Sequence, residues 1–151
     1  MAEYRLTEKA DLGLLYDAAR IRYGDEQWKK QSYGAVTREE FIRYCIEKEL
    51  PTLGFSCDGK PIGGLIFDGT AAHLEVLPEH HGRWGFLWEK ALEWIFSNKD
   101  PIEVQIYAWD ERMLRFMDRN NFQRIRADKD FVTYRMSSQD VPHYRRRRKP
   151  E

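Results

Sequence analysis

Residues 76–96 read VLPEHHGRWGFLWEKALEWIF, a segment that joins the end of a strand, a proline-containing turn and a helix. From Trp84 onward the apolar residues recur every three or four positions, at 84, 87, 88, 91, 92, 95 and 96. This is the spacing of an amphipathic helix. The sequence therefore predicts a helix that begins at Trp84, and we expect residues 84, 87, 88, 91, 92 and 95 to be buried on one face of it.

On either side of this segment the apolar period alternates between the values typical of strands and of helices. Pro51, Pro78 and Pro101 each mark such a change. The predicted strands cover residues 3–6, 52–57, 62–67, 71–77, 102–108, 122–126 and 131–136, and the helices start at or just after residues 12, 37, 84 and 111. The resulting order is β-α-α-β-β-β-α-β-α-β-β, an α/β (α+β) fold in which helices flank a mixed, mostly antiparallel sheet.

Three segments are predicted to be neither helix nor strand: a loop, a hairpin turn and a C-terminal tail. The run from Gly24 to Val36 is polar, contains two glycines and is interpreted as a loop. Asp58 and Gly59 predict a hairpin turn between two strands. The chain is predicted to form one domain over residues 1–136, and residues 137–151 are expected to be a disordered, basic tail.

Composition excludes several classes of protein. The 151 residues are 42% hydrophobic, which suits one globular domain and excludes disorder over most of the chain. No apolar run approaches the ~20 residues of a transmembrane helix, and the first residues lack the apolar core of a signal peptide. Cys45 and Cys57 are expected to be reduced thiols, which favours a cytoplasmic protein with no membrane partner.

Charge is unevenly distributed although the formal net charge is zero. Residues 1–144 contain 20 basic and 24 acidic residues, so they are poorly suited to binding nucleic acid. The basic residues of the tail are Arg145, Arg146, Arg147, Arg148 and Lys149. They are either a solvated terminus or an arm that contacts nucleic acid or another anion without sequence specificity.

The element order resembles the GNAT (Gcn5-related N-acetyltransferase) superfamily over residues 1–136. The densest local match is VLPEHHGRWG at residues 76–85, where the family reads Val-x-Pro-Glu-x-Arg-Gly-x-Gly-x-Gly. Residues 119–122, RNNF, stand where the family has Lys-x-Gly-Phe. The resemblance implies that the loop after the fourth strand cradles the pyrophosphate of acetyl-CoA on backbone amides at a helix N-terminus.

This resemblance assigns cofactor-binding roles, if acyl-CoA binding is retained, to five residues: Val76, His81, Gly82, Arg83 and Gly85. The loop departs from the family pattern at two of its glycines, because Trp84 and Phe86 occupy their places. A side chain there would block the approach of backbone to phosphate unless it turns away. Since Trp84 also lies on the apolar stripe of its helix, we expect its indole to point into the core.

The catalytic positions also depart from the family. Met117 stands four residues before Asn121, where many GNAT enzymes have the tyrosine that protonates the departing thiolate, and its thioether cannot donate a proton. Tyr107 and Tyr134 do not fall at that position. Glu75 and His73, on one face of the fourth strand, are the candidate general bases or, alternatively, a solvated or salt-bridged face. No metal site is predicted, because adjacent histidines in an extended segment point apart.

A narrower resemblance is to small GNAT-like proteins of short-tailed bacteriophages, some of them regarded as head-assembly or internal-virion factors. It is carried by LTEKADL at residues 6–12, HGRWG at residues 81–85 and Met117. It implies a catalytically silent assembly factor in the bacterial cytoplasm or the virion, with phage structural proteins as partners and no cofactor. The alternative is an active acetyl-CoA-dependent N-acyltransferase. Trp28 and Trp109, in predicted loops, are candidates for a binding surface.

Overall fold

A computed structural model describes residues 1–30 and 36–141, and these residues contain seven strands and four helices in the predicted order. The strands are β1 (Tyr4–Thr7), β2 (Thr52–Cys57), β3 (Lys60–Phe67), β4 (Ala72–Val76), β5 (Ile102–Tyr107), β6 (Gln123–Ala127) and β7 (Phe131–Met136). The helices are α1 (Leu12–Lys30), α2 (Arg38–Glu47), α3 (Trp88–Asn98) and α4 (Glu111–Arg119). The predicted α/β class, with antiparallel sheets and flanking helices, is confirmed.

The strands form two sheets where one was predicted. One sheet has the order β1-β2-β3-β4 and the other the order β5-β7-β6. The chain correspondingly divides into two compact units. Of the described residues, the first unit contains 1–30, 36–69 and 73–88, and the second contains 70–72 and 89–141.

The hairpin between β2 and β3 has the predicted turn. Asp58 and Gly59 both have positive φ, 52° and 81°, as a two-residue type I′ turn requires. Cys57 pairs directly with Lys60 across the turn, so β3 starts two residues earlier than its apolar run. This register fixes the four-stranded sheet, in which β1 pairs with the other edge of β2.

Helix α1 corrects the predicted loop. The helix does not end at Gly24 but bends there, where φ is 74° and ψ is 170°, and then continues to Lys30. Residues 31–35 of the predicted loop lie outside the described residues. The continuation is stabilised by Trp28, which is buried and packs edge-on against Tyr16 with their rings 5.2 Å apart. Trp28 is therefore a core residue, and the hypothesis that it forms a binding surface is wrong.

The apolar ladder of residues 84–96 is buried as predicted, but the helix begins later. Each of the seven ladder residues retains less than a tenth of its exposed area. Trp84 precedes a short 3-10 turn, Gly85–Leu87, and α3 starts only at Trp88. Apolar spacing continues through such a turn, which explains why the sequence pattern placed the helix start too early.

The second unit extends beyond the predicted domain boundary at residue 136. Ser137, Ser138 and Val141 are buried, and Ser138 donates hydrogen bonds from its amide and hydroxyl to the carboxylate of Asp100. Residues 137–141 therefore pack on this unit, because their small polar and apolar side chains find partners that their composition did not reveal. The rest of the predicted tail, including its five basic residues, lies outside the described part of the chain. Within residues 1–30 and 36–141, no helix is long and apolar enough to cross a membrane.

Candidate functional site

The loop after β4 is built from two short turns around a glycine. Pro78–His80 forms a 3-10 turn, the chain reverses at Gly82, and Gly85–Leu87 forms the second 3-10 turn before α3. Gly82 has a φ of 81°, a conformation that favours glycine. The resemblance-based assignment of a glycine to this position therefore agrees with its backbone geometry.

The backbone of this loop is open on the side of its glycines. A Cβ atom built on Gly82 or on Gly85 would meet no atom within 4 Å. Among the described residues, the structure records no acceptor for the amide N–H groups of Gly82, Gly85 and Phe86. Three N–H donors near the start of α3 are thus available to an anion.

Trp84 does not obstruct this opening. Its indole is 7% exposed and stacks on Phe55, with ring centroids 5.2 Å apart and planes at 28°. It also meets Trp88 edge-on at 5.8 Å. The predicted inward orientation of Trp84 is therefore confirmed, and the side chain at the family's glycine position belongs to the core.

Phe86, the other departure from the glycine pattern, points outward. It is 67% exposed, and its ring lies edge-on to that of Tyr4 at 6.0 Å. Phe86 therefore leaves an apolar side chain on the rim of the loop, beside the free amide of its own backbone.

His81 holds the loop against the end of β4. Its Nε2–H donates a hydrogen bond to the carbonyl oxygen of Val76 at 2.9 Å. The imidazole of His81 and the carbonyl group of Val76 are therefore bonded to each other. Both residues were assigned to cofactor binding, and in the structure they fix the shape of the loop.

Arg83 and His80 extend the loop toward β1. The Tyr4 hydroxyl lies 3.0 Å from Nδ1 of His80. Burial, together with neighbouring Cys57, raises the pKa of Tyr4, whereas the positive charge of Arg83 acts in the opposite direction. Arg83 is exposed to solvent, and its charge acts on the Tyr4 hydroxyl.

The two candidate general bases have separate polar partners. Glu75 accepts two hydrogen bonds from Arg22 of α1, at 2.9 Å from Nε and 2.7 Å from Nη2. His73 pairs through Nε2 with Asp68 at 2.7 Å and is exposed. The structure does not bring Glu75 and His73 together into one site. Within the described ranges, no group of three potential metal ligands occurs.

In the second unit, the family's acid position is filled by an apolar side chain. Met117 of α4 is 3% exposed. Asn121, which stands for the family's glycine, has a φ of 63°, a conformation that asparagine tolerates better than most residues. The backbone geometry therefore fits the family motif at this turn, although the side chain at position 117 has no proton to donate.

Tyr134 cannot replace the missing acid, because its hydroxyl is used internally. It is 0% exposed and donates a hydrogen bond to Asp118 at 2.9 Å. Arg124 binds the same carboxylate through two nitrogens, at 3.1 and 2.8 Å. Burial and then the Asp118 contact raise the pKa of Tyr134 to about 12, and Arg124 lowers the pKa of Asp118.

Tyr107 and Trp109 form a separate aromatic surface on the second unit. Their rings stack with centroids 5.5 Å apart and planes at 15°, and Phe131 lies 4.8 Å from Tyr107. Trp109 is 36% exposed, and its contribution to a binding surface stays a prediction.

Sequence reasoning missed Arg22, which in the structure determines the surroundings of Glu75. A signal for it existed, because Leu15, Ala18 and Arg22 follow helical spacing and the first two are buried. A charge on a buried stripe implies an oppositely charged partner. The bond from Tyr134 to Asp118 joins a strand to a helix, and no spacing in the sequence predicts it.

The sequence matches no protein-family model and no curated protein. Solved structures do match in fold. The PaiA N-acetyltransferase of Thermoplasma acidophilum, solved with coenzyme A, has a TM-score of 0.66 at 15% identity, covering 89% of this chain and 99% of its own. An N-acetyltransferase of Staphylococcus aureus Mu50 has a TM-score of 0.66 at 15% identity, with coverages of 91% and 98%.

A third match, yncA of Salmonella typhimurium, was solved with its cofactor acetyl-CoA. Its TM-score is 0.64 at 15% identity, covering 90% of this chain and 93% of its own. These likenesses extend over most of both chains, so the protein has the GNAT fold. At this level of identity they establish the fold alone.

Proposed function

We propose that this protein is an acyl-CoA-dependent N-acyltransferase that binds the pyrophosphate of the acyl donor on residues 77–87. The observation that carries the proposal is the inward orientation of Trp84, which leaves the loop backbone open. The neighbouring solved structures with coenzyme A or acetyl-CoA support the same choice of ligand.

The residues of the loop suit a pyrophosphate. The N–H groups of Gly82, Gly85 and Phe86 can donate to phosphate oxygens, and the dipole of α3 adds positive potential at its start. Arg83, the residue that follows Gly82, adds a full positive charge to the same loop. This donor set depends on backbone and on one cation, so it tolerates the substitutions at two of the family's glycines.

The chemistry would be acyl transfer without a dedicated acid. The deprotonated amine of the acceptor attacks the thioester carbonyl, a C–N bond forms, and the C–S bond breaks. The amine proton passes to a base or to solvent. The thiolate leaves without help from Met117, which is tolerable because a thiol of pKa about 8.5 is a fair leaving group near neutral pH. Loss of acid catalysis is worth roughly 10²–10⁴-fold, so we expect a slow enzyme.

Calorimetric titration with acetyl-CoA tests the binding step. We expect a Kd below about 100 µM, which corresponds to about 5–6 kcal/mol. Gly82→Ala should weaken binding at least tenfold, because a Cβ atom would enter the space in front of the amides. Gly59→Ala is the matched control, since Gly59 has the same φ of 81° and equally open surroundings in the β2–β3 turn.

Both variants carry a similar backbone strain, so their losses of stability should be alike. If Gly59→Ala and Gly82→Ala affect acetyl-CoA equally, or if the native protein does not bind acetyl-CoA, the loop is not the donor site.

A second candidate function is the catalytically silent assembly factor that the bacteriophage resemblance implies. Buried Met117 and the internal use of the Tyr134 hydroxyl favour it, since together they leave the second unit without an acid. Its partners would be phage head or virion proteins, and stacked Tyr107 and Trp109 offer an exposed aromatic surface for one.

Two measurements separate the candidates. The assembly factor predicts no release of free thiol from acetyl-CoA with any amine, together with cosedimentation with phage heads that Trp109→Ala abolishes. The acyltransferase predicts amine-dependent thiol release, unaffected by Trp109→Ala.

A further inference from the structure

Phe86 is the one phenylalanine of the chain whose side chain lies mostly in water. All eight phenylalanines fall within the described residues, and the other seven are buried or partly buried. Phe86 is 67% exposed, although its neighbour in the same 3-10 turn, Leu87, is buried. Removing an aromatic ring from water is favourable, so packing within the chain does not explain a phenylalanine at this position.

The exposed ring of Phe86 is oriented by Tyr4 of β1. The two rings lie edge-on, with centroids 6.0 Å apart and planes at 87°. The Tyr4 ring also lies edge-on to that of His80 at 5.7 Å, and its hydroxyl is 3.0 Å from Nδ1 of the same imidazole. Tyr4 therefore contacts both 3-10 turns of the loop and limits the directions that the Phe86 ring can take, without covering it.

This ring lies next to backbone donors that the proposed function assigns to a pyrophosphate. The amide N–H of Phe86 belongs to the same residue as the ring, and the N–H of Gly85 directly precedes it. The space beside Gly85 is open, since a Cβ atom built there would meet no atom within 4 Å. A phosphate bound to these amides lies within one side chain's length of the ring, and a group esterified to that phosphate can reach the ring.

We infer that Phe86 stacks on the adenine base of the acyl donor and so selects donors that carry a nucleotide. The inference rests on the proposed function. In acyl-CoA the pyrophosphate joins adenosine to pantetheine, and only the adenosine end has a flat aromatic group to place against a ring. Bases stack on aromatic side chains, and truncation of such a side chain weakens binding by about 5- to 150-fold.

This contact distinguishes two classes of acyl thioester. Acyl-CoA carries adenosine, whereas an acyl group on the phosphopantetheine arm of a carrier protein has a single phosphate and no base. A glycine at position 86, as in the family pattern, has no ring to offer, so Phe86 adds affinity that the amides alone do not supply. Arg83, exposed in the same loop, adds a positive charge that suits the 3′-phosphate of the adenosine.

Calorimetric titration with three ligands tests the inference: CoA, ADP, which keeps the nucleotide, and 4′-phosphopantetheine, which lacks it. Phe86→Leu keeps an apolar side chain but removes the ring. It should raise the Kd of CoA and of ADP at least about fivefold and leave that of 4′-phosphopantetheine unchanged. Phe86→Trp keeps a ring and should bind CoA at least as tightly as the native protein. Tyr44→Leu is the matched control, since Tyr44 is a 55% exposed aromatic on α2, and it should change none of the three constants.

NMR at saturating ADP separates stacking from an indirect effect on the shape of the loop. In the native complex, the H2 and H8 protons of adenine should shift upfield under the ring current of Phe86 and show nuclear Overhauser effects to its ring protons. Both signals should vanish in Phe86→Leu and return in Phe86→Trp. The melting temperatures of the free variants should match that of the native protein, because an exposed ring contributes little to packing.

Equal weakening of CoA and 4′-phosphopantetheine by Phe86→Leu would overturn the inference and leave the proposed function intact, because the ring would then only shape the loop. Unchanged binding of CoA and ADP in Phe86→Leu would also overturn it. If Phe86→Leu instead dissociated a dimer of the native protein in analytical ultracentrifugation, the ring would belong to a contact with a second copy of the chain. An absence of CoA binding to the native protein would overturn the proposed function itself.

Discussion

The loop at residues 77–87 and the turn after α4 are the two places where the GNAT resemblance predicts function, and they depart from the family pattern in different ways. In the loop, two substituted residues leave the backbone open, because Trp84 points inward and Phe86 points outward. At α4, one substitution places a buried thioether where a proton donor is expected, and the nearby hydroxyl of Tyr134 is bonded to Asp118.

The difference follows from what each function requires. Anion binding at a loop uses backbone N–H groups, which every residue except proline supplies. A change of side chain therefore preserves binding if the new side chain points away from the bound anion. Proton donation uses one side-chain atom, so a single replacement removes it. The proposed donor binding therefore depends on backbone groups that this chain has, whereas the expected proton donor is absent from position 117.

The largest expected effect comes from breaking the packing that keeps the loop open. Trp84→Ala should lower the free energy of unfolding by about 3–5 kcal/mol, as large-to-small changes in a core do. The stacking on Phe55 and the contact with Trp88 are both lost. Urea unfolding measures the change, and acetyl-CoA affinity should fall because the loop loses its anchor.

Phe86→Ala is the matched control, since it removes another aromatic ring two residues away from an exposed position. Its effect on stability should stay within about 0.5 kcal/mol. If Trp84→Ala were equally mild and acetyl-CoA bound more tightly, the indole would be a plug over the site and its inward position would not be what keeps the loop open.

The second prediction concerns the polar cluster beside α4. The pKa of Tyr134 in the folded protein, about 12, lies above the ordinary tyrosine value of 10.0, so the folded state binds the phenolic proton more tightly. Its contribution is fully present below pH 10 and is lost as the pH rises from 10 toward 12. We expect stability to fall by about 2 kcal/mol over this interval, as measured by urea unfolding at several pH values.

Tyr134→Phe should flatten this alkaline slope and lower stability at neutral pH by about 1–2 kcal/mol, because the bond to Asp118 is lost. Tyr107→Phe is the control, because its ring is already partly accessible. An unchanged alkaline slope in Tyr134→Phe would show that another group is responsible.

Periodicity and turn chemistry were sufficient to predict the fold class, the order of eleven elements and the buried ladder of residues 84–96. These features depend on local spacing and on the fixed preferences of glycine and proline. The course of the chain after Gly24 could not be predicted in this way. A glycine that ends a helix and one that bends it have the same sequence signal, and the contact of Trp28 with Tyr16 decides between them.

The candidate site was predictable in part. The resemblance located the loop, and the apolar spacing located the indole of Trp84. The partner of Glu75 could not be assigned, because the contact joins residues 53 positions apart and depends on how α1 lies on the sheet. The division of the strands into two sheets also could not be predicted, since strand patterns do not specify which strands pair.

The smallest expected effect concerns the end of the chain, where residues 137–141, which pack on the second unit, are followed by the basic residues 145–149. Removing residues 142–151 should change the melting temperature by less than ~2 °C, since a change of 1 kcal/mol shifts Tm by ~2–4 °C in a chain of this size. Removing residues 137–151 should cost several degrees, because Ser138 then no longer bonds Asp100 and the buried side chain of Val141 is lost. Differential scanning calorimetry of the two truncated chains measures both changes. A large loss from the shorter deletion would mean that Arg145–Lys149 bind the acidic body of the protein, and raising the salt concentration should then reproduce that loss in the full chain, because salt screens exposed ion pairs.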